Sequence, residues 1–372
     1  MTRLKHILFA TFILFATFIL FGMTLSSCSK SSDSGSGESF TGIEKDVITN
    51  FVDNVAINQY TDLVAKAAAL NNNIVALNAS TTDANLQQAQ ASWKALRQTW
   101  ERCEGFLVGP VEDNNYDPNS DTWPTDYRQM DSLLASSNAL STADVESINE
   151  TLRGYHPIEY LLFGEGGSRK VSELDARKKK YLVSLSDDLL NNNIQPLLAS
   201  WQGANGYGNT VLTAGKGNAA FSSKQALFLD LAGDNGMAGI CNEVGQQNED
   251  GKIYNPYHLP DSSYAESPYS GNSLTDFKNN IIGAQQVYLG NGGKGFKDLV
   301  AAKNKDLDNK IQAAFTAAIN SFDNISSNDN MRFEVAIYQR RTQIQATLTA
   351  INNLQALLED DLITFITQNV KD

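Results

Sequence analysis

Beyond residue 40, apolar side chains recur every three to four positions along almost the whole chain. The stretch "FTGIEKDVITNFVDNVAINQYTDLVAKAAALNNNIVAL" sets the pattern. A period near 3.6 marks an amphipathic helix with one stripe to bury. "TDANLQQAQASWKALRQTWERCEGFLV" follows, with Thr82 or Asp83 placed to cap it. "STADVESINETLRGYHPIEYLLFG" begins at Ser141 with Asp144 in an acidic first turn, which suits the helix dipole. The same period returns in "SELDARKKKYLVSLSDDLLNNNIQPLLASW", "SLTDFKNNIIGAQQVYLG" and the long segments after them. No stretch sustains the alternation of a strand between hairpin turns. The expected class is all-α, with two packed helical-bundle domains. The Gly-rich segment 203–218 supplies the boundary, giving an N-terminal bundle over 40–205 and a C-terminal bundle over 206–372.

The first residues read differently. Arg3, Lys5 and His6 precede "ILFATFILFATFILFGM", and Leu25-Ser26-Ser27-Cys28 follows. A charged start, an apolar run and small residues before a cysteine describe an export signal. The four residues resemble a bacterial lipobox, which implies cleavage before Cys28 and acylation there. Residues 1–27 are then a signal peptide and 28–39 a Ser/Gly-rich tether. The expected location is the bacterial cell envelope, lipid-anchored in the outer membrane on its periplasmic or surface face. An uncleaved anchor is the alternative, since the run approaches spanning length.

The formal charge is −13, and loss of Arg3 and Lys5 with the signal takes it to −15. Such a balance argues against nucleic-acid partners, whose affinity rests on basic patches. It suits a protein that handles cations. Only His156 and His258 remain beyond the signal, far apart in the chain, which removes HExxH zinc peptidases and three-histidine zinc sites. Cys103 and Cys241 are either one disulfide or two buried thiols.

Chemistry concentrates in "GYHPIEYLLFG". Gly154 ends or kinks one helical segment, and Pro157 suits the first turn of the next. His156 and Glu159, three apart, share a face of that turn and can share an ion or a proton. A capping pair at a helix start is the plainer explanation. "WERCEGFLVGP" places Glu101 and Glu104 three apart on another helix, and "DTWPTDY" adds Asp121 and Asp126. Packed together, these carboxylates and one imidazole make an oxygen-dominated site of the kind that holds iron or manganese in helical bundles. The competing account of Glu101 and Glu104 is a solvated face beside Arg97 and Arg102.

The ordered set resembles one family. "RGYHPIEYLLFG" resembles the Gly-x-His-x-x-Glu signature of imelysin-like proteins, matched by Gly154, His156 and Glu159. "WERCEGFLVGP", "DTWPTD", "SLTDFKNNIIGAQQVYLG" and "GFKDLV" resemble its other segments, so the likeness spans most of the chain after the signal. The resemblance implies an exported two-domain helical protein. It also implies a metal at His156 and Glu159, with further ligands from Glu101, Glu104 or Asp126. Iron is the expected ion, ahead of zinc or calcium, because some members are iron-regulated or belong to iron-uptake systems. Envelope iron-uptake proteins are the implied partners. The family name comes from peptidases, so a metallopeptidase using the His-x-x-Glu motif is the alternative to a binding protein.

Overall fold

The computed structural model describes residues 39–248, 250–326 and 331–371. Among them every regular element is a helix. The apolar signal run and the lipid-anchor reading at Cys28 lie outside the described residues. Within them, no helix is long and apolar enough to cross a membrane.

Helix α1 (Phe40–Asn50) starts at Ser39, whose hydroxyl accepts from Gly42 N at 3.1 Å. It runs through a π-helical segment, Phe51–Ile57, into α2 (Asn58–Ala79). The apolar stripe continues across the junction, burying Val55, Tyr60, Leu63, Leu70 and Leu77. Thr82 caps α3 (Asp83–Cys103), as its place before the periodic run implies. Helix α4 (Tyr155–Phe163) lies on one side of α3. Helix α5 (Ala176–Asp188) lies against α2. The later helices are α6 (Met237–Gly245), α7 (Ser273–Leu289), α8 (Lys305–Ser326) and α9 (Arg341–Ala356). Helix α7 packs on α6 and α8, and α9 covers both of those.

Helices α3 and α7 form the seam between these two groups. Their backbones touch where the chain carries glycine. A Cβ on Gly105, just past α3, would stand 2.5 Å from Gly283 C, and one on Gly283 would stand 2.2 Å from Arg102 O. No other residue type permits that approach. Residues from Ser39 on form one compact unit, and the 205/206 position falls in a turn inside it, between the short helices Gln195–Trp201 and Tyr207–Leu212.

The segment 141–164 is not one helix. It divides into Thr142–Ser147, a 3-10 turn at Glu150–Leu152, and α4. Ser141 and Asp144 do form a reciprocal capping box. The break falls at Gly154, whose φ of 81° no helix accommodates. Cys103 and Cys241 are both buried free thiols, so no disulfide joins them. The 109–127 and 251–273 segments fold into short helices and turns that carry side chains toward the seam.

Candidate metal centre

Gly154 caps α4, so His156 is its second residue and Pro157 its third. Pro157 therefore lies in the first turn, where its missing N–H removes no helical hydrogen bond. The His156 ring is wholly buried and rests on Trp123, with centroids 4.8 Å apart. Its Nε2 is 3.1 Å from Asp121 Oδ1, and its Nδ1 is 3.8 Å from Glu159 Oε2. Gly154 makes the first approach possible. A Cβ there would stand 2.1 Å from Ser120 O, so the short helix Tyr116–Asp121 lies with its last turn directly on the glycine.

Glu266 completes the arrangement from the 251–273 segment. One ligand atom each from Asp121, His156 and Glu266 lie within 4.8 Å of one another. Glu159 sits behind them. Its Oε1 accepts from Tyr269 N at 3.1 Å, Ser270 N at 2.7 Å and Ser270 Oγ at 2.7 Å. Both His156 nitrogens, Glu159 Oε2 and Glu266 Oε2 are buried without a well-formed hydrogen bond. The two His156 nitrogens face the Asp121 and Glu159 carboxylates, while Glu159 Oε2 and Glu266 Oε2 keep lone pairs that can accept a proton or bind a cation.

Arg97 holds the carboxylates together. It is fully buried, pairs with Asp121 and Glu101, and lies 3.2 Å from Glu266 Oε1. Its guanidinium stacks over Tyr155, 4.9 Å from the ring centre. Trp100 Nε1 donates to Asp121 Oδ2 at 2.6 Å and Glu104 Oε1 at 3.0 Å. From α7, Asn280 Nδ2 donates to Glu101 Oε2 at 2.6 Å and Glu104 Oε2 at 2.5 Å. Glu101 and Glu104 are thus buried members of the same network, and the solvated-face account of them fails.

The charges do not balance. Glu101, Glu104, Glu159, Glu266 and Asp276 are buried, and the Asp121 side chain is nearly so, against two permanent cations, Arg97 and Lys252. Protons fill part of the gap. Burial, reinforced by neighbouring acids against Arg97 and Lys252, pushes the Glu101 and Glu104 carboxyls well above their usual range. Burial likewise pushes Asp276 up to about 7, with Arg97 opposing. Burial opposes charge on His156, but the Asp121 and Glu159 carboxylates outweigh it and hold the imidazole up at about 9. Asp121 resists the trend, since Arg97 and His156 overcome its burial and keep it ionised. One imidazole among carboxylates is a hard, oxygen-rich donor set, suited to iron or manganese rather than to a closed zinc site.

Of the residues singled out from sequence, His156 and Glu159 meet here, with Gly154 beneath them and Glu101 and Glu104 in the surrounding network. Asp126 does not join them. It caps the helix Tyr127–Ala135, with Oδ1 accepting from Gln129 N at 2.9 Å and Oδ2 from Gln129 Nε2 at 2.7 Å. Asp121, five residues earlier in the same segment, is the acid that reaches His156. Glu266 had no motif to mark it; the signal was the length of the 251–273 segment. Beside the centre opens a cleft of about 1270 Å³, lined among others by Asp121, Trp123, Tyr127, Lys252, Glu266 and Tyr269.

Fold and site together define an all-α protein with a buried histidine and carboxylate centre at the meeting of two helical groups. Residues 56–358 match the family described as imelysin, and the chain belongs to that family. Over 256 residues it is 30% identical to iron-regulated protein A of Synechococcus elongatus, a match that spans 68% of this chain and 66% of that protein. Among solved structures it resembles one described as an iron-regulated protein A precursor from Parabacteroides distasonis. The TM-score is 0.77 at 24% identity, covering 91% of this chain and 97% of the other. An imelysin-like protein from Psychrobacter arcticum superposes with a TM-score of 0.69 at 15% identity, over 88% and 96%. At these identities the two structures speak for the fold alone.

Proposed function

We propose that this protein binds a divalent metal ion, iron foremost, at Asp121, His156 and Glu266, and serves iron uptake in the cell envelope. The observation that carries the reading is the convergence of three donors within 4.8 Å inside a cluster of largely buried carboxylates. Glu159 acts behind them, positioned by three hydrogen bonds at one oxygen and facing His156 with the other. The names of the relatives agree with an iron-related role, and the acidic interior is chemistry that a cation would need. Calorimetric titration of the purified protein with Fe2+ under argon, and with Zn2+ and Ca2+, tests it. His156→Ala and Glu266→Gln are expected to weaken Fe2+ binding tenfold or more while the protein stays folded. Unchanged affinity in both variants would sink the assignment.

The anchor belongs to the same proposal. Lipid attachment at Cys28 would hold the metal site at the membrane, and Cys28→Ala should move the protein from the membrane to the soluble fraction. The cleft beside the centre favours a second reading, since a peptidase needs room for a chain next to its metal. Chelator-sensitive cleavage of an unstructured protein, lost in Glu159→Gln, would support it.

A further inference from the structure

Two cations stand in the acidic cluster, and they are held in opposite ways. Arg97 is sealed in. Its side chain has no exposure, its guanidinium lies over Tyr155, and it spans Asp121, Glu101 and Glu266. A planar fork so enclosed is a fixed part of the site. Lys252 enters from the cleft side, in the 251–273 segment, and its side chain keeps 15% exposure. Its Nζ lies 3.1 Å from Glu266 Oε1 and 3.3 Å from Glu104 Oε2, both buried. It also lies 3.0 Å from Glu243 Oε1, whose side chain is 42% exposed.

An ammonium is a compact charge on a flexible four-carbon stem. Here it satisfies carboxylate oxygens as a metal ion would, yet it can withdraw without leaving its backbone position. Retreat toward Glu243 keeps one ion pair on the solvent side. It frees Glu104 Oε2 from the ammonium and leaves Arg97 as the cation at Glu266 Oε1. The backbone helps to hold this arrangement, since Lys252 N donates to Glu243 O at 3.0 Å.

From this geometry, and resting on the metal reading above, we infer that Lys252 is a tethered counter-ion. It occupies the carboxylate pocket of Glu104 and Glu266 until a divalent ion displaces it toward Glu243, and so it sets the affinity of the site. Metal and ammonium compete for the same Glu266 carboxylate, so removing the ammonium tightens metal binding. A merely structural Lys252, needed to hold Glu266 in place, gives the opposite sign.

The test titrates the whole protein with Mn2+, an ion that shares the oxygen-rich preference of Fe2+ and is stable in air. Lys252→Met is expected to bind Mn2+ at least tenfold tighter than wild type. Lys252→Arg, which keeps the charge, should bind no tighter than wild type. Lys252→Gln replaces the Met variant if that one does not fold. Glu243→Gln, on the exposed side, removes the place of retreat and should weaken binding several-fold. Neutral variants that bind no tighter than wild type, or binding left unchanged by Glu243→Gln, overturn the inference and leave the metal site standing. Absence of binding in wild type and variants alike overturns both. Binding gained only in a neutral variant supports the inference.

Discussion

Gly154→Ala tests the logic of the site at its base. The glycine has φ 81° and ψ −153°, a region that residues with a side chain enter only at a cost of about 1–3 kcal/mol. The added methyl would also stand 2.1 Å from Ser120 O, a backbone atom that must move to make room. Strain and clash together should destabilise the protein by about 3–5 kcal/mol. For a folded unit of this size, unfolding entropy of ~2.1 cal/mol/K per residue converts each kcal/mol to about 1.5 °C. The expected fall in Tm is therefore about 5–7 °C by circular dichroism. The displaced backbone is the one that carries Asp121, so metal affinity should fall with stability, tenfold or more by calorimetry. A variant that melts within about 1 °C of wild type and binds metal equally well would refute the claim that Gly154 seats Asp121 against His156.

Gly283→Ala should destabilise the seam by several kcal/mol, because its methyl would meet Arg102 O at 2.2 Å in a place where neither backbone can yield; chemical denaturation measures it. With chelator present, thermal stability should fall as pH rises from about 4 to 9. Asp276 and Asp117 are pushed by burial to about 7 and His156 is held at about 9, so the folded protein keeps protons that the unfolded chain gives up. The carboxyl contribution is lost between about 4 and 7, and that of His156 as pH passes from about 6.5 through 9; melting curves at pH 5, 7 and 9 check the sign. Saturating Mn2+ should flatten the decline by replacing those protons. Glu159→Gln keeps an acceptor for the Ser270 and Tyr269 donors but discards the charge facing His156, so it should lower metal affinity with little change in Tm.

The helices were legible because their signals are local. Thr82, and the Ser141 and Asp144 box, cap where the start of a periodic run requires it, and Gly290 ends α7 in the left-handed conformation that glycine enters freely. The motif pair was legible for the same reason, since three residues on one helical turn need no tertiary information. Glu266 was not. Its 110-residue separation from His156 is bridged by tertiary contacts, among them those of Glu159 with Tyr269 and Ser270, which no spacing rule encodes. Asp126 and Asp121 were equivalent on paper, both acids flanking Trp123-Pro124. Only the fold distinguishes the one that caps a helix from the one that passes over Gly154. Arg97 entered the solvated-face account because a lone arginine on a helix is usually solvated; its burial follows from Asp121 and Glu266, which arrive from two other segments to join Glu101 of its own helix.

The touching glycines of α3 and α7 carry a further consequence. A contact of backbone on backbone has no side chain to flex, so it acts as a registration mark between the two helical groups. Sliding α7 by one residue would shift it about 1.5 Å and turn it by about 100°, taking Asn280 off both Glu101 and Glu104. Substitutions among the acids can change how strongly the centre attracts a cation. An insertion or deletion in either helix would misalign the halves of the centre altogether, and lineages of this fold should accept the first kind of change far more readily than the second.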